Sequence, residues 1–93
     1  MKEKRDSLLI ILQILKLLST GPSTITRVVY GGNLNHESAQ RYLYLLEKRG
    51  FLETIVFEGE KLFSITRKGE QVMKDLKKAV DQVWPPVEGL GVA

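Results

Sequence analysis

The segment from Asn33 to Gly50, NLNHESAQRYLYLLEKRG, encodes both ends of a helix. Asn35 suits the N-cap, where its side-chain oxygen accepts from backbone N–H groups of the first turn. Leu34 just before it and Ala39 within the helix have the spacing of a hydrophobic staple. Gly50 suits the left-handed position that closes a helix, and Lys48 and Arg49 stand near the negative end of its dipole. Ala39, Tyr42, Leu43 and Leu46 recur at the spacing of a buried stripe. Glu37, Gln40, Arg41, Tyr44 and Lys48 fall on the other side. That side offers groups able to read base edges, plus an aromatic ring and two cations. An ordinary solvated face would carry Glu and Lys in i,i+4 pairs. On this face alone, a base-reading helix and a plain surface helix both stay open.

The preceding segments fit around this helix. A first helix is expected from Asp6 or Ser7, either of which can cap it, to Ser19, with Gly21-Pro22 as its stop. Leu8 to Leu18 is apolar around well over half its circumference, more than one core stripe requires. Such a helix is either the centre of the core or has a second face packed on another subunit; the second reading is preferred. Ser23 or Thr24 caps a short helix from Ile25 to about Tyr30, with Ile25, Val28 and Val29 inward and Thr24 and Arg27 outward. Gly31-Gly32-Asn33 is expected to break it. A short helix, a tight turn and a second amphipathic helix make a helix-turn-helix.

After Gly50 the period changes to two. Phe51 to Phe57 and Lys61 to Ile65 read as strands, joined by a hairpin at Glu58-Gly59-Glu60 in which Gly59 supplies a positive φ. Thr66 caps a last helix, Arg67 to about Trp84, which Pro85-Pro86 ends. Val72, Met73, Leu76, Ala79, Val80 and Val83 form its apolar side, and four of these have a/d heptad spacing suited to a helix–helix seam. Residues 1–84 are therefore expected to form one domain, with 85–93 a flexible tail. The expected class is α+β, mostly helical: three helices, a two-stranded wing hairpin and a C-terminal dimerisation helix.

In this order the chain resembles the winged helix-turn-helix DNA-binding proteins over roughly Ile10 to Ala79. The resemblance rests on ITRVVYGGNLNHESAQRYLYLLEKRGFL, on the hairpin ending LFSIT, and on TRKGEQVM opening the last helix. With its small size, the chain is similar to the homodimeric winged-helix regulators of archaea and archaeal viruses, a group with MarR-like features. The resemblance implies a transcriptional regulator that binds double-stranded DNA as a two-fold homodimer, with residues 36–49 in the major groove. It implies a cytoplasmic location, or the host cell interior for a viral protein. His36, Glu37, Gln40, Arg41 and Tyr44 are the candidates near base edges, because the first half of such a helix does the reading. Ser23, Thr24, Arg27, Ser38, Lys48 and Lys61 are candidates for phosphate contacts, which position without specifying sequence. Leu9, Leu12, Met73, Leu76, Val80, Val83 and Trp84 are candidates for the dimer interface. The wing departs from the family's pattern: Glu58 and Glu60 stand where Arg or Lys is usual, so it is expected to touch DNA weakly or not at all.

Ninety-three residues with a net charge of +3 suit one modest domain and allow a nucleic-acid partner without requiring one. No cysteine is present, so neither a disulfide framework nor thiolate chemistry is available. The apolar run Leu8–Leu18 is too short to span a bilayer, and no small-residue cleavage site follows it, so neither a membrane partner nor export is expected. The one histidine, His36, lacks companions for a metal site, and Gly31-Gly32 lacks the Lys-Ser/Thr of a phosphate loop. No enzyme, metal or cofactor is expected, and no residue points to a small-molecule effector. The competing class is an adaptor whose third helix or acidic wing docks a protein.

Overall fold

The computed structural model describes residues 2–83, with the side chains of 7–82. In chain order the elements are α1 (Lys2–Leu18), α2 (Ile25–Gly32), α3 (His36–Lys48), β1 (Leu52–Phe57), β2 (Glu60–Ile65) and α4 (Arg67–Val83). This is the expected winged helix-turn-helix, mostly helical with one antiparallel hairpin. The end expected at Trp84, the dimer contact at Trp84 and the 85–93 tail lie outside the described residues, as does the side chain of Val83. No helix among the described residues is long and apolar enough to cross a membrane.

The core is a single cluster drawn from five elements. Ile14, Leu15 and Leu18 of α1 meet Val28 of α2, Ala39, Leu43 and Leu46 of α3, Leu52 of β1 and Phe63 of β2. Each large side chain among them contributes about 1.5–3 kcal/mol by leaving water. Val72, Met73 and Leu76 of α4 pack against this cluster from outside.

Several boundaries differ from expectation. The first helix begins at Lys2, so neither Asp6 nor Ser7 caps it. Lys, Glu and Arg favour helix, and nothing before Ser7 stops its extension. The Ser7 hydroxyl instead shares a 2.9 Å hydrogen bond with the Tyr42 hydroxyl of α3. The second helix runs through Gly31 and Gly32 rather than breaking there, and leaves at Asn33, which holds φ 54°. These glycines serve close packing: a Cβ on Gly31 would lie 3.1 Å from Leu17 Cδ2 of α1.

The wing is held at its base by a hydrogen-bonded node. Phe51 donates its N–H to Leu46 O at 2.9 Å, and Thr66 donates its N–H to Phe51 O at 3.0 Å. The Thr66 hydroxyl donates to Gly50 O at 2.7 Å and accepts from the Gly69 N–H at 3.0 Å, capping α4 as expected. The far edge of β2 is pinned to the α1–α2 connection: Ser23 and Phe63 exchange both backbone bonds, at 3.0 and 2.8 Å. The strands pair from Leu52↔Ile65 to Phe57↔Glu60, leaving Glu58-Gly59 as a two-residue turn. Both turn residues hold positive φ, 52° and 79°, the signature of a type I′ hairpin.

Of the residues expected at a dimer interface, Leu12 is 7% exposed within one chain, so it is core and not free surface. Met73 and Leu76 are half-buried against the chain's own core. Leu9 is exposed, as is its neighbour Leu8, while Val80 is half-buried.

Candidate nucleic-acid interface

The placement of α3 follows from its cap and its stripe. Asn35 takes an extended conformation, φ −84° and ψ 167°, and its Oδ1 accepts from Ser38 N–H at 2.7 Å. Ala39, Leu43 and Leu46 are buried, so the opposite face is turned to solvent. His36, Glu37, Gln40, Arg41, Tyr44 and Lys48 are all exposed there. Tyr44 is 64% exposed, and Lys48 Nζ lies 5.6 Å from its ring centroid. That places a cation on the aromatic face without withdrawing either group from solvent. Ser38 is half-buried beside its cap.

At the flank of α3, Thr24 is the N-cap of α2, and its Oγ1 accepts from Arg27 N–H at 3.3 Å. The Arg27 side chain is exposed. Ser23 is a correction. It is 5% exposed and bound through its backbone to Phe63, so it cannot present a hydroxyl to a phosphate. A Ser-Thr pair before a helix offers two equal caps on paper, and the strand-like bridge to β2 decides between them.

On the wing side, Lys61 is exposed with Nζ 5.4 Å from the Phe63 ring centroid. Between α3 and the wing lies an open cleft of 390 Å³, lined by Ile25, His36, Gln40, Leu43, Tyr44, Glu47, Lys61 and Phe63. The structure thus gathers His36, Gln40, Tyr44 and Lys61 around one concavity. Glu37, Arg41 and Lys48 stand on α3 outside that lining. Sequence reasoning missed Glu47, which accepts from the Thr54 hydroxyl at 2.6 Å and so braces the wing against α3. Its spacing from Gln40 and Tyr44 marks it as sharing their face. Tyr30 at the end of α2 is 80% exposed and lies outside the lining of that cleft. Chemically, the surface is a protruding helix with amide, guanidinium, imidazole and phenol groups. A helix of ordinary diameter fits the major groove of B-DNA, about 12 Å wide.

Comparison with known proteins agrees with this geometry. Residues 4–83 match the family model for the winged helix-turn-helix. Sso10a-2, a DNA-binding protein from Sulfolobus solfataricus, is 31% identical and superposes with a TM-score of 0.73 over 80% of this chain and 77% of its own. The homodimeric winged helix-turn-helix DNA-binding domain Mb0332 from Mycobacterium bovis, a possible ArsR-family transcriptional regulator, superposes at 0.67. It is 20% identical over 78% of this chain and 68% of its own. An uncharacterized protein of Methanocaldococcus jannaschii is 26% identical over 83 residues; the match covers 88% of this chain but only 37% of that relative's length. Two of these three come from archaea and none from a virus. With the family match over residues 4–83, and with the helix order, capped α3 and hairpin described above, the chain belongs to the winged helix-turn-helix family.

Proposed function

We propose that this protein is a transcriptional regulator that binds double-stranded DNA by inserting α3 into the major groove. One observation carries the reading: the inner face of α3 is locked into the core, and this holds His36, Glu37, Gln40, Arg41 and Tyr44 outward at its N-terminal half. Residues there reach base edges in proteins of this architecture. Arg41 has the planar fork that fits guanine, Gln40 the amide that fits adenine, and Glu37 an acceptor for a cytosine amino group. Thr24, Arg27, Ser38, Lys48 and Lys61 flank these groups as phosphate contacts, and Ser23 leaves that set because it is buried. The DNA-binding relative Sso10a-2, at 31% identity, supports the same reading.

The regulator acts as a two-fold homodimer. Leu8 and Leu9 on α1 are exposed and Val80 is half-buried on α4, which packs on α1, so both helices outside the helix-turn-helix keep apolar surface for a subunit contact. The homodimeric relative Mb0332 supports pairing of this kind. Two copies joined there present two recognition helices to successive major grooves, about 34–36 Å apart, on a roughly palindromic site. The protein works by binding, without a catalytic step, at the DNA inside the cell.

Titration of binding to random duplex DNA against salt tests the reading. Phosphate engagement gives a linear fall of log affinity with log salt, its slope about −0.9 per phosphate neutralised. An adaptor that docks only protein gives no binding even at low salt, and that result would overturn the proposal.

A further inference from the structure

The wing carries a feature that DNA binding does not use. From the register, Glu53, Ile55 and Phe57 of β1 share one face with Ser64, Leu62 and Glu60 of β2. The opposite face holds buried Leu52 and Phe63 and is the one turned to the core. The outer face is therefore an apolar strip, with Ile55 38% and Phe57 60% exposed. Glu53 stands at one end, and Glu58 and Glu60 at the other, all exposed. Between Leu52 and Ile65 the sequence has these three glutamates against the single cation Lys61, in a chain whose overall charge is +3.

The edge of this sheet is also open. Among the described residues β1 pairs only with β2, while β2 is covered on its other side by Ser23. The backbone of β1 thus offers unpaired donors and acceptors beside an apolar strip, the arrangement that accepts an added strand.

The charge selects the occupant. Three carboxylates repel DNA phosphate and anionic lipid, and two such wings repel each other, so neither nucleic acid nor the wing of a second copy fits. We propose that the open edge of β1 and its outer face form a docking strip for an extended segment of a partner protein. In that segment every second residue meets the strip, and those residues run cation, apolar, apolar, cation. Added alongside β1, it sets its two apolar side chains beside Ile55 and Phe57 and its cations towards Glu53 at one end and Glu58 and Glu60 at the other. This spacing is required because only every second side chain of a strand meets the same face. The acidic wing then has a positive role in recruiting a basic protein while α3 remains on DNA.

The test uses the full chain and fluorescein-labelled ten-residue peptides, with binding read by fluorescence anisotropy at physiological salt in the absence of DNA. A peptide that carries lysine, valine, valine, lysine at every second position, with serine between them, is expected to bind, and one with glutamate in place of each lysine to bind at least tenfold more weakly. Phe57→Ser, and separately Glu53→Gln with Glu60→Gln, are each expected to weaken the basic peptide at least tenfold. Their thermal melts should match that of wild type and their duplex-DNA affinities should not fall, because none of these side chains is core or lies on α3. Equal binding of both peptides, indifference to the substitutions, or no binding by a chain that binds DNA normally would overturn the docking strip. A chain that binds the basic peptide but no DNA would instead overturn the regulator reading and leave the strip standing.

Discussion

At the scale of single residues, three positions separate backbone constraint from recognition. Gly69 sits one turn into α4, where a Cβ would collide with the Phe51 carbonyl oxygen and lie 2.8 Å from Ile65 Cγ1. Gly69→Ala is therefore expected to cost about 1–3 kcal/mol by overpacking, read as a lower urea midpoint. Glu58 holds φ 52° at the first turn position, where an L-residue pays roughly 1–2 kcal/mol and asparagine is far better tolerated. Glu58→Asn should recover a fraction of that cost and raise the melting temperature. Arg41 and Lys48 stand on the same exposed face, and the proposed reading gives them different ends. Arg41→Ala should lose about 1–3 kcal/mol on the preferred sequence and flatten preference, whereas Lys48→Ala should weaken all sequences alike. Gel shifts on preferred and scrambled duplexes distinguish the two, and intact binding by both variants would show that this is not the reading face.

At the scale of elements, α3 is the member whose two faces are both committed, one to the core and one to solvent. Leu43 is 1% exposed at the centre of its inner face. Leu43→Ala is expected to cost roughly 2–5 kcal/mol through lost burial and a cavity. An unchanged melting temperature would mean that the faces are reversed. The wing depends on α3 at two points, the Thr54–Glu47 bond and the node linking Gly50, Phe51, Thr66 and Gly69. The three segments that carry the family resemblance meet in that node, the first through its final Gly50-Phe51-Leu52 and the other two through Thr66, where LFSIT passes into TRKGEQVM. Their co-occurrence has a physical cause: the Thr66 hydroxyl satisfies the carbonyl left free where α3 ends and caps the helix that follows. Thr66→Ala should therefore lose about 1 kcal/mol or more, since both bonds go together.

At the scale of the whole molecule, assembly decides whether one reading helix or two meet the duplex. Leu76 packs on the chain's own core, so substituting it confounds folding with pairing. Leu8 and Leu9, 50% and 40% exposed, are the cleaner probes. Leu8→Glu with Leu9→Glu should leave the fold intact, convert a dimer to a monomer in sedimentation equilibrium, and sharply weaken binding to a palindromic site. A wild type that sediments as a monomer at micromolar concentration, with no shift at higher loading, would remove both the dimer and the palindrome. The energetic case for pairing is that a domain of this size buries a limited share of its surface alone.

What was legible from the chain was what depends on neighbours within one or two turns. The Asn35 cap, the Ala39–Leu43–Leu46 stripe, the Gly50 exit, the hairpin turn and the Thr66 cap all stand where local spacing placed them. These signals come from hydrogen bonds and periodicities that close over a few residues. The exposed face of α3 was legible for the same reason, since its inner stripe leaves only one side free. Contacts between distant segments were not legible. Ser23 is buried because Phe63, forty residues on, pairs with its backbone. Gly31 and Gly32 continue the helix to Asn33, and a Cβ at Gly31 would crowd Leu17 of α1 at 3.1 Å, so residues that read locally as a break allow a close approach of two helices. Leu12 leaves the surface because the chain covers it. In each case the deciding partner lies far along the chain, and only tertiary packing brings it into contact.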